Sequence, residues 1–123
     1  MTKRVLDVGN CSPDHNVIRR FIERHFNAVV VQAHNGADTV ATLQRQTIDL
    51  VLVNRKLDQD YSDGLRVIER IKNSAHLAHV PVMLVTNYEE HQQQAMQAGA
   101  ERGFGKLSME EPETLERLSR FLT

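Results

Sequence analysis

The stretch Ile48-Asp49-Leu50-Val51-Leu52-Val53-Asn54 decides the fold. Apart from Asp49 it is an unbroken apolar run that stops at a polar residue. A strand with one wet face would alternate apolar and polar side chains. A strand apolar on both faces belongs in a parallel sheet covered by helices on both sides. Working outward, further strands are predicted at Arg4–Val8, Ala28–Val31, Val80–Val85 and Arg102–Phe104, with Pro81 tolerated near the start of its run. Longer stretches between them carry helical spacing. Ser12-Pro13 reads as an N-cap and a first-turn proline, followed inward by Val17, Ile18, Phe21, Ile22 and Phe26. Asn35–Gln46 has Val40 and Leu43 on one face, and Asp63-Gly64 opens a helix with Leu65, Ile68 and Ile71 inward. Tyr88–Ala98 is a polar helix that meets the core through Ala95 and Met96 and ends at Gly99 in a left-handed cap. Glu110–Leu122 closes the chain with Leu115, Leu118, Phe121 and Leu122 inward; Glu110, Glu111 and Glu113 suit the positive end of its dipole. Alternating strands and helices of this kind predict one domain over residues 1–123. Its expected architecture is a three-layer α/β/α sandwich around a five-stranded parallel sheet of doubly wound type.

Composition narrows the function. Fifteen Lys and Arg against sixteen Asp and Glu leave a net charge of -1 over 123 residues. That excludes an overall basic footprint for nucleic acid and a polybasic membrane surface. No apolar run approaches the roughly 18 residues of a membrane span, and Asp7 interrupts the apolar start, so no signal peptide is expected. The single cysteine, Cys11, excludes an intrachain disulfide and a Cys-only zinc site, which makes the cytoplasm the expected compartment.

In an open parallel sheet the site lies beyond the carboxyl ends of the strands. The residues there are Gly9 and Asn10, then Asn54, then Thr86 and Asn87, then Gly105 and Lys106. The order of pieces resembles the response-regulator receiver domain, the CheY-like family, over the whole chain. The resemblance rests on Asp49-Leu50-Val51-Leu52-Val53-Asn54, Asp63-Gly64-Leu65, Met83-Leu84-Val85-Thr86, Ala98-Gly99-Ala100 and Gly103-Phe104-Gly105-Lys106. It implies a flavodoxin-like (βα)5 fold and a role in two-component, phosphorelay signal transduction. It also implies an output surface on the fourth helix, fifth strand and fifth helix, here Tyr88 to Leu122. The family carries an acid pair after the first strand and a phosphoacceptor Asp ending the third. It has Thr or Ser after the fourth strand, an aromatic switch in the fifth and Lys-Pro after it. In this sequence the acid pair reads Gly9 and Asn10, and the phosphoacceptor position reads Asn54. Thr86 and Lys106 are retained, but Leu107 follows the lysine, and the aromatic position falls on Gly103 with Phe104 on the other face. The loop from Asn54 to Asp63 is about two residues longer than the family's.

Aspartyl phosphotransfer needs a carboxylate nucleophile, and magnesium needs carboxylate oxygens. The expectation is therefore a pseudo-receiver that acts through a protein partner, with no aspartyl phosphorylation, enzymatic activity, metal or other cofactor. Two alternatives stand beside it. One is a phosphorylatable regulator whose pocket is rebuilt by Asp58 or Asp60. The other is a small α/β nucleotide-binding or enzymatic domain, although Gly9-Asn10-Cys11-Ser12 lacks the lysine and second glycine of a phosphate-binding loop. With the acids gone, the pocket is expected to be net positive, with Lys106 bonded to Asp7, Asp58 or the Asn54 side-chain oxygen. Asp7 is read as a structural partner or a solvent-reaching side chain, Thr86 as a strand end, and Cys11 as a small side chain near the pocket. His76 and His79 have metal-compatible spacing but no neighbouring acid cluster; His15, His25, His34 and His91 are read as surface residues. Arg19, Arg20 and Arg24, interleaved with Glu23, are read as a solvated helix face. Gln92, Gln93, Gln94 and Gln97 are expected to give the fourth helix a hydrogen-bonding contact surface.

Overall fold

The computed structural model describes residues 1–123. In chain order the elements are β1 (Lys3–Val8), α1 (Ser12–His25), β2 (Ala28–Ala33), α2 (Gly36–Arg45), β3 (Leu50–Asn54) and α3 (Gly64–Lys72). β4 (Val82–Val85), α4 (Glu89–Gln97), β5 (Glu101–Phe104), a 3-10 turn (Lys106–Ser108) and α5 (Pro112–Leu122) follow. The strands form one five-stranded sheet in the order β2-β1-β3-β4-β5, and all neighbours are parallel. Chain direction across the sheet reverses between β1 and β3, so a crevice opens at their carboxyl ends, where Gly9, Asn10 and Asn54 stand.

Successive strand residues face opposite sides, and both sides are buried. Leu6, Val8, Val51, Val53, Val82 and Leu84 pack with Ile68 and Ile71 of α3. Val5, Leu50, Leu52, Met83 and Val85 pack with Ile18 and Ile22 of α1 and Leu118 and Leu122 of α5. This double burial is the reason the strands read as continuous apolar runs, and the three-layer sandwich is the expected one. No helix is long and apolar enough to cross a membrane.

Boundaries differ from expectation where pairing or packing outweighs local pattern. β2 continues to Ala33 because Gln32 and Ala33 still pair with Asp7 and Val8. β3 starts only at Leu50, since the Asp49 carboxylate accepts the Arg4 N–H at 2.8 Å. Cys11, not Ser12, is the N-cap of α1, and its side chain makes no capping bond, whereas Asp63 caps α3 by accepting the Leu65 N–H at 2.9 Å. α5 begins at Pro112 rather than Glu110. Val17 is exposed, and the buried stripe of α1 is instead His15, Ile18, Phe21 and Ile22. Leu115 and Phe121 are half-buried rather than enclosed. Gly99 ends α4 with φ +106°, as the cap requires.

Candidate functional site

At the end of β1, Gly9 takes φ +78°, a backbone conformation that L side chains avoid. A Cβ there would overlap the Leu57 side chain at Cδ2 and stand 3.0 Å from Leu57 Cα. Leu57 is completely buried. The long β3–α3 loop folds inward to deliver it, pinned by Leu57 N–H to Ser62 O and Gly64 N–H to Arg55 O, both at 2.9 Å. Tyr61 turns that loop with φ +58°. Asn54 takes part in the same construction: its Nδ2 donates to Lys56 O at 2.8 Å and reaches Gly9 O at 3.5 Å. Sequence reasoning missed Leu57; the added loop length was the only signal that something new enters the crevice.

Beneath Gly9 lies a polar network. Asp7 is fully buried; its Oδ2 accepts from His15 Nδ1 at 2.7 Å and its Oδ1 from Asn10 Nδ2 at 2.6 Å. Burial pushes the Asp7 carboxyl above its ordinary range, opposed by the bonds from His15 and Asn10 and by the charge of Lys106. Asn10 is also buried, its carbonyl accepting from Gln32 Nε2 at 3.2 Å and its Oδ1 without a partner. His15 is therefore not a surface histidine: three and seven residues before Ile18 and Ile22, it lies on the same buried stripe. Asp7 is a structural partner as expected, but of His15.

None of the three expected acceptors holds Lys106. Its Nζ bonds Asp14 Oδ2 at 2.8 Å, which draws the Asp14 carboxyl below its ordinary range. The first turn of α1 rises from the carboxyl end of β1 and brings Asp14 level with Lys106, while Asp7 lies deeper and is enclosed by His15. Asp58 sits 3.4 Å from half-buried His34, and Asp60 is exposed, its carboxyl held low by bonds from Ser62. A cleft of about 180 Å³ remains at the strand ends, lined by Asn54, Arg55, Thr86, Asn87, His91 and Lys106 among others. It is not left net positive: Lys106 is paired with Asp14, and Arg55 with Asp63 at 2.8 Å.

Thr86 is buried and held at each polar group. Its N–H donates to Phe104 O at 3.0 Å, and Oγ1 accepts from Tyr88 N–H and bonds His91 Nδ1, each at 3.3 Å. Its carbonyl accepts from Gln92 Nε2 at 3.2 Å. Gln92 is thus a buried residue and not part of the contact surface; Gln93, Gln94 and Gln97 are exposed. A Cβ on Gly103 would overlap Leu84 O, so no aromatic fits there, and Phe104 lies in the core between the sheet and α1/α5. On the outer face Glu89 is held down to about 2 by its bidentate partner Arg102. His76 and His79 are exposed, and no three His, Cys, Asp or Glu side chains are gathered for a metal. Cys11 is exposed and free. Arg19 pairs with Glu23 at 3.7 Å on the solvated face of α1.

The chain belongs to the response regulator receiver domain family, whose profile matches residues 13–118. It is accordingly a receiver domain of two-component response-regulator signalling. Solved structures share the fold. The signal receiver domain of the DNA-binding response regulator merR from Colwellia psychrerythraea 34H superposes with a TM-score of 0.80 at 21% identity, over 96% of each chain. Vibrio cholerae chemotaxis protein CheY4 gives 0.78 at 18% identity, over 99% of this chain and 100% of that one. NtrX from Brucella abortus gives 0.75 at 19% identity over 98% of this chain, which spans only 29% of NtrX. No curated protein matches the chain by sequence.

Proposed function

We propose that this receiver signals through protein–protein contact without phosphorylation on aspartate. One observation carries the reading: Leu57, completely buried, fills the space beside Gly9. Gly9 itself stands at the position that the resemblance aligns with the first acid of the family's metal-binding pair. Gly9 offers a divalent cation no oxygen side chain, and Leu57 leaves no space for one to be added on this backbone. Asn10 and Asn54 fit the same reading. Both spend their amide N–H groups inside the fold, on Asp7 and on Lys56, and neither is a carboxylate nucleophile. The rebuilt-pocket alternative lacks support, because Asp58 and Asp60 are engaged with His34 and Ser62. The contact surface is the segment Tyr88 to Leu122, where Tyr88 and Leu107 stand exposed as large apolar side chains a partner would cover. The same proposal includes a cytoplasmic setting and a protein rather than nucleic-acid partner, which the lone thiol and the net charge of -1 support. The test is incubation with acetyl phosphate and magnesium, read by intact mass. An unchanged mass is expected; the gain of one phosphoryl group overturns the reading.

A further inference from the structure

The sheet has one irregularity, between β4 and β5. Met83 pairs with Glu101 and Val85 with Phe104, so Arg102 and Gly103 together face the single residue Leu84. Such a bulge leaves backbone groups without ladder partners. The Gln92 side chain, only 4% exposed, supplies them. Its Nε2 donates to Leu84 O at 3.1 Å and to Thr86 O at 3.2 Å, while its Oε1 accepts the Gly103 N–H at 2.9 Å. The remaining Gly103 group, its carbonyl, accepts from Arg117 Nη1 of α5 at 3.2 Å. One α4 side chain therefore ties that helix to both strands beneath it and uses both ends of its amide to do so.

We propose that Gln92 is a latch that holds the β4–α4–β5 face permanently in one conformation. The inference rests on the phosphorylation-free reading and adds how the output face is governed. A segment switches only if a second arrangement also satisfies its groups. Moving α4 from this position breaks three buried hydrogen bonds together. At about tenfold in population per bond, the displaced state falls to roughly one molecule in a thousand. Neighbouring groups close the other routes of movement. The Thr86 hydroxyl is engaged by Tyr88 and His91, and Leu84 O leaves no space for a side chain at Gly103. The face is thus presented to a partner continuously, and no phosphoryl donor or metal changes it.

Amide NMR on the whole chain tests the latch. In the wild type, relaxation dispersion at Thr86, Gly103 and Phe104 should be flat, and the Gly103 amide should exchange with solvent as slowly as the amides of β3. In Gln92→Leu, which keeps the bulk and removes the amide, μs–ms exchange should appear in β4, α4 and β5 alone, with Gly103 protection lowered up to about a thousandfold. Dispersion in the wild type, Gly103 exchange much faster than β3, or a Gln92→Leu variant as quiet as the wild type would each overturn the latch. The two wild-type measurements decide the matter even if Gln92→Leu fails to fold. Failure of the underlying reading has a different signature: a chain that takes up a phosphoryl group while its Gly103 amide stays protected is phosphorylatable yet latched.

Discussion

Replacing Gly9 by aspartate puts an acid at the position that the resemblance aligns with the first of the family's acid pair, and the structure makes it a destabilising change. Two penalties combine. The backbone at φ +78° disfavours any Cβ, at about 1–2 kcal/mol. The new side chain also overlaps Leu57, which is completely buried and must leave its place. Exposing a leucine forfeits roughly 1.5–3 kcal/mol of burial. Gly9→Asp should therefore cost about 2.5–5 kcal/mol, a large part of the 5–15 kcal/mol that typically holds a domain together. Urea denaturation followed by circular dichroism measures it, with the midpoint shifting and the slope unchanged. A double-mutant cycle isolates the cause. Leu57→Ala alone should cost about 2–5 kcal/mol through the cavity it leaves. In the double variant the overlap with Leu57 Cδ2 is gone, while Cα and Cβ at 3.0 and 3.1 Å remain, so the combined cost should fall short of the sum by about 1–2 kcal/mol. A Gly9→Asp variant within about 1 kcal/mol of wild type, or strict additivity in the double variant, would refute the claim that Leu57 fills the space beside Gly9.

Other expectations are smaller or differ in kind. Asn54→Asp removes the donor to Lys56 O, so it should lower stability by about 1 kcal/mol and still take up no phosphoryl group from acetyl phosphate, as intact mass will show. Lys106→Ala breaks an ion pair whose side chains are 32% and 43% exposed, so chemical denaturation should register a loss of about 1 kcal/mol or less. His15→Ala leaves the buried Asp7 Oδ2 without its hydrogen-bond partner at 2.7 Å and should cost about 1–3 kcal/mol by the same assay. Asp7 also makes a pH prediction: its folded value lies above the ordinary 3.8. As pH rises from there, the unfolded chain releases this proton before the folded chain does, so Asp7's contribution to stability declines through that window. Urea midpoints measured across it should fall with rising pH more steeply in the wild type than in Asp7→Asn, and parallel curves would count against it.

Much of this molecule was legible in the sequence because local patterns repeat at the period of the element they form. The run Leu50–Val53 reads as a two-sided buried strand, and Asp63-Gly64 as a capped helix start, from side-chain chemistry within a few residues. Strand ends locate the crevice, so Gly9, Asn10, Asn54, Thr86 and Lys106 could be placed around it from chain order alone. What surrounds each of them could not. Periodicity tells which face a side chain takes, but it does not name the residue it meets there. His15 and Val17 sit two positions apart on one helix, and only the packing of α1 over β1 buries the polar residue and exposes the apolar one. Lys106 and Asp14, 92 positions apart, meet because a helix start and a strand end are brought to the same edge of the sheet. Leu57 belongs to a loop with no periodicity to read, and its place above Gly9 follows from where that loop closes. Gln92 looks like any glutamine on a polar helix; it is buried because β4 and β5 pair with a bulge beneath it, an irregularity that exists only between two strands.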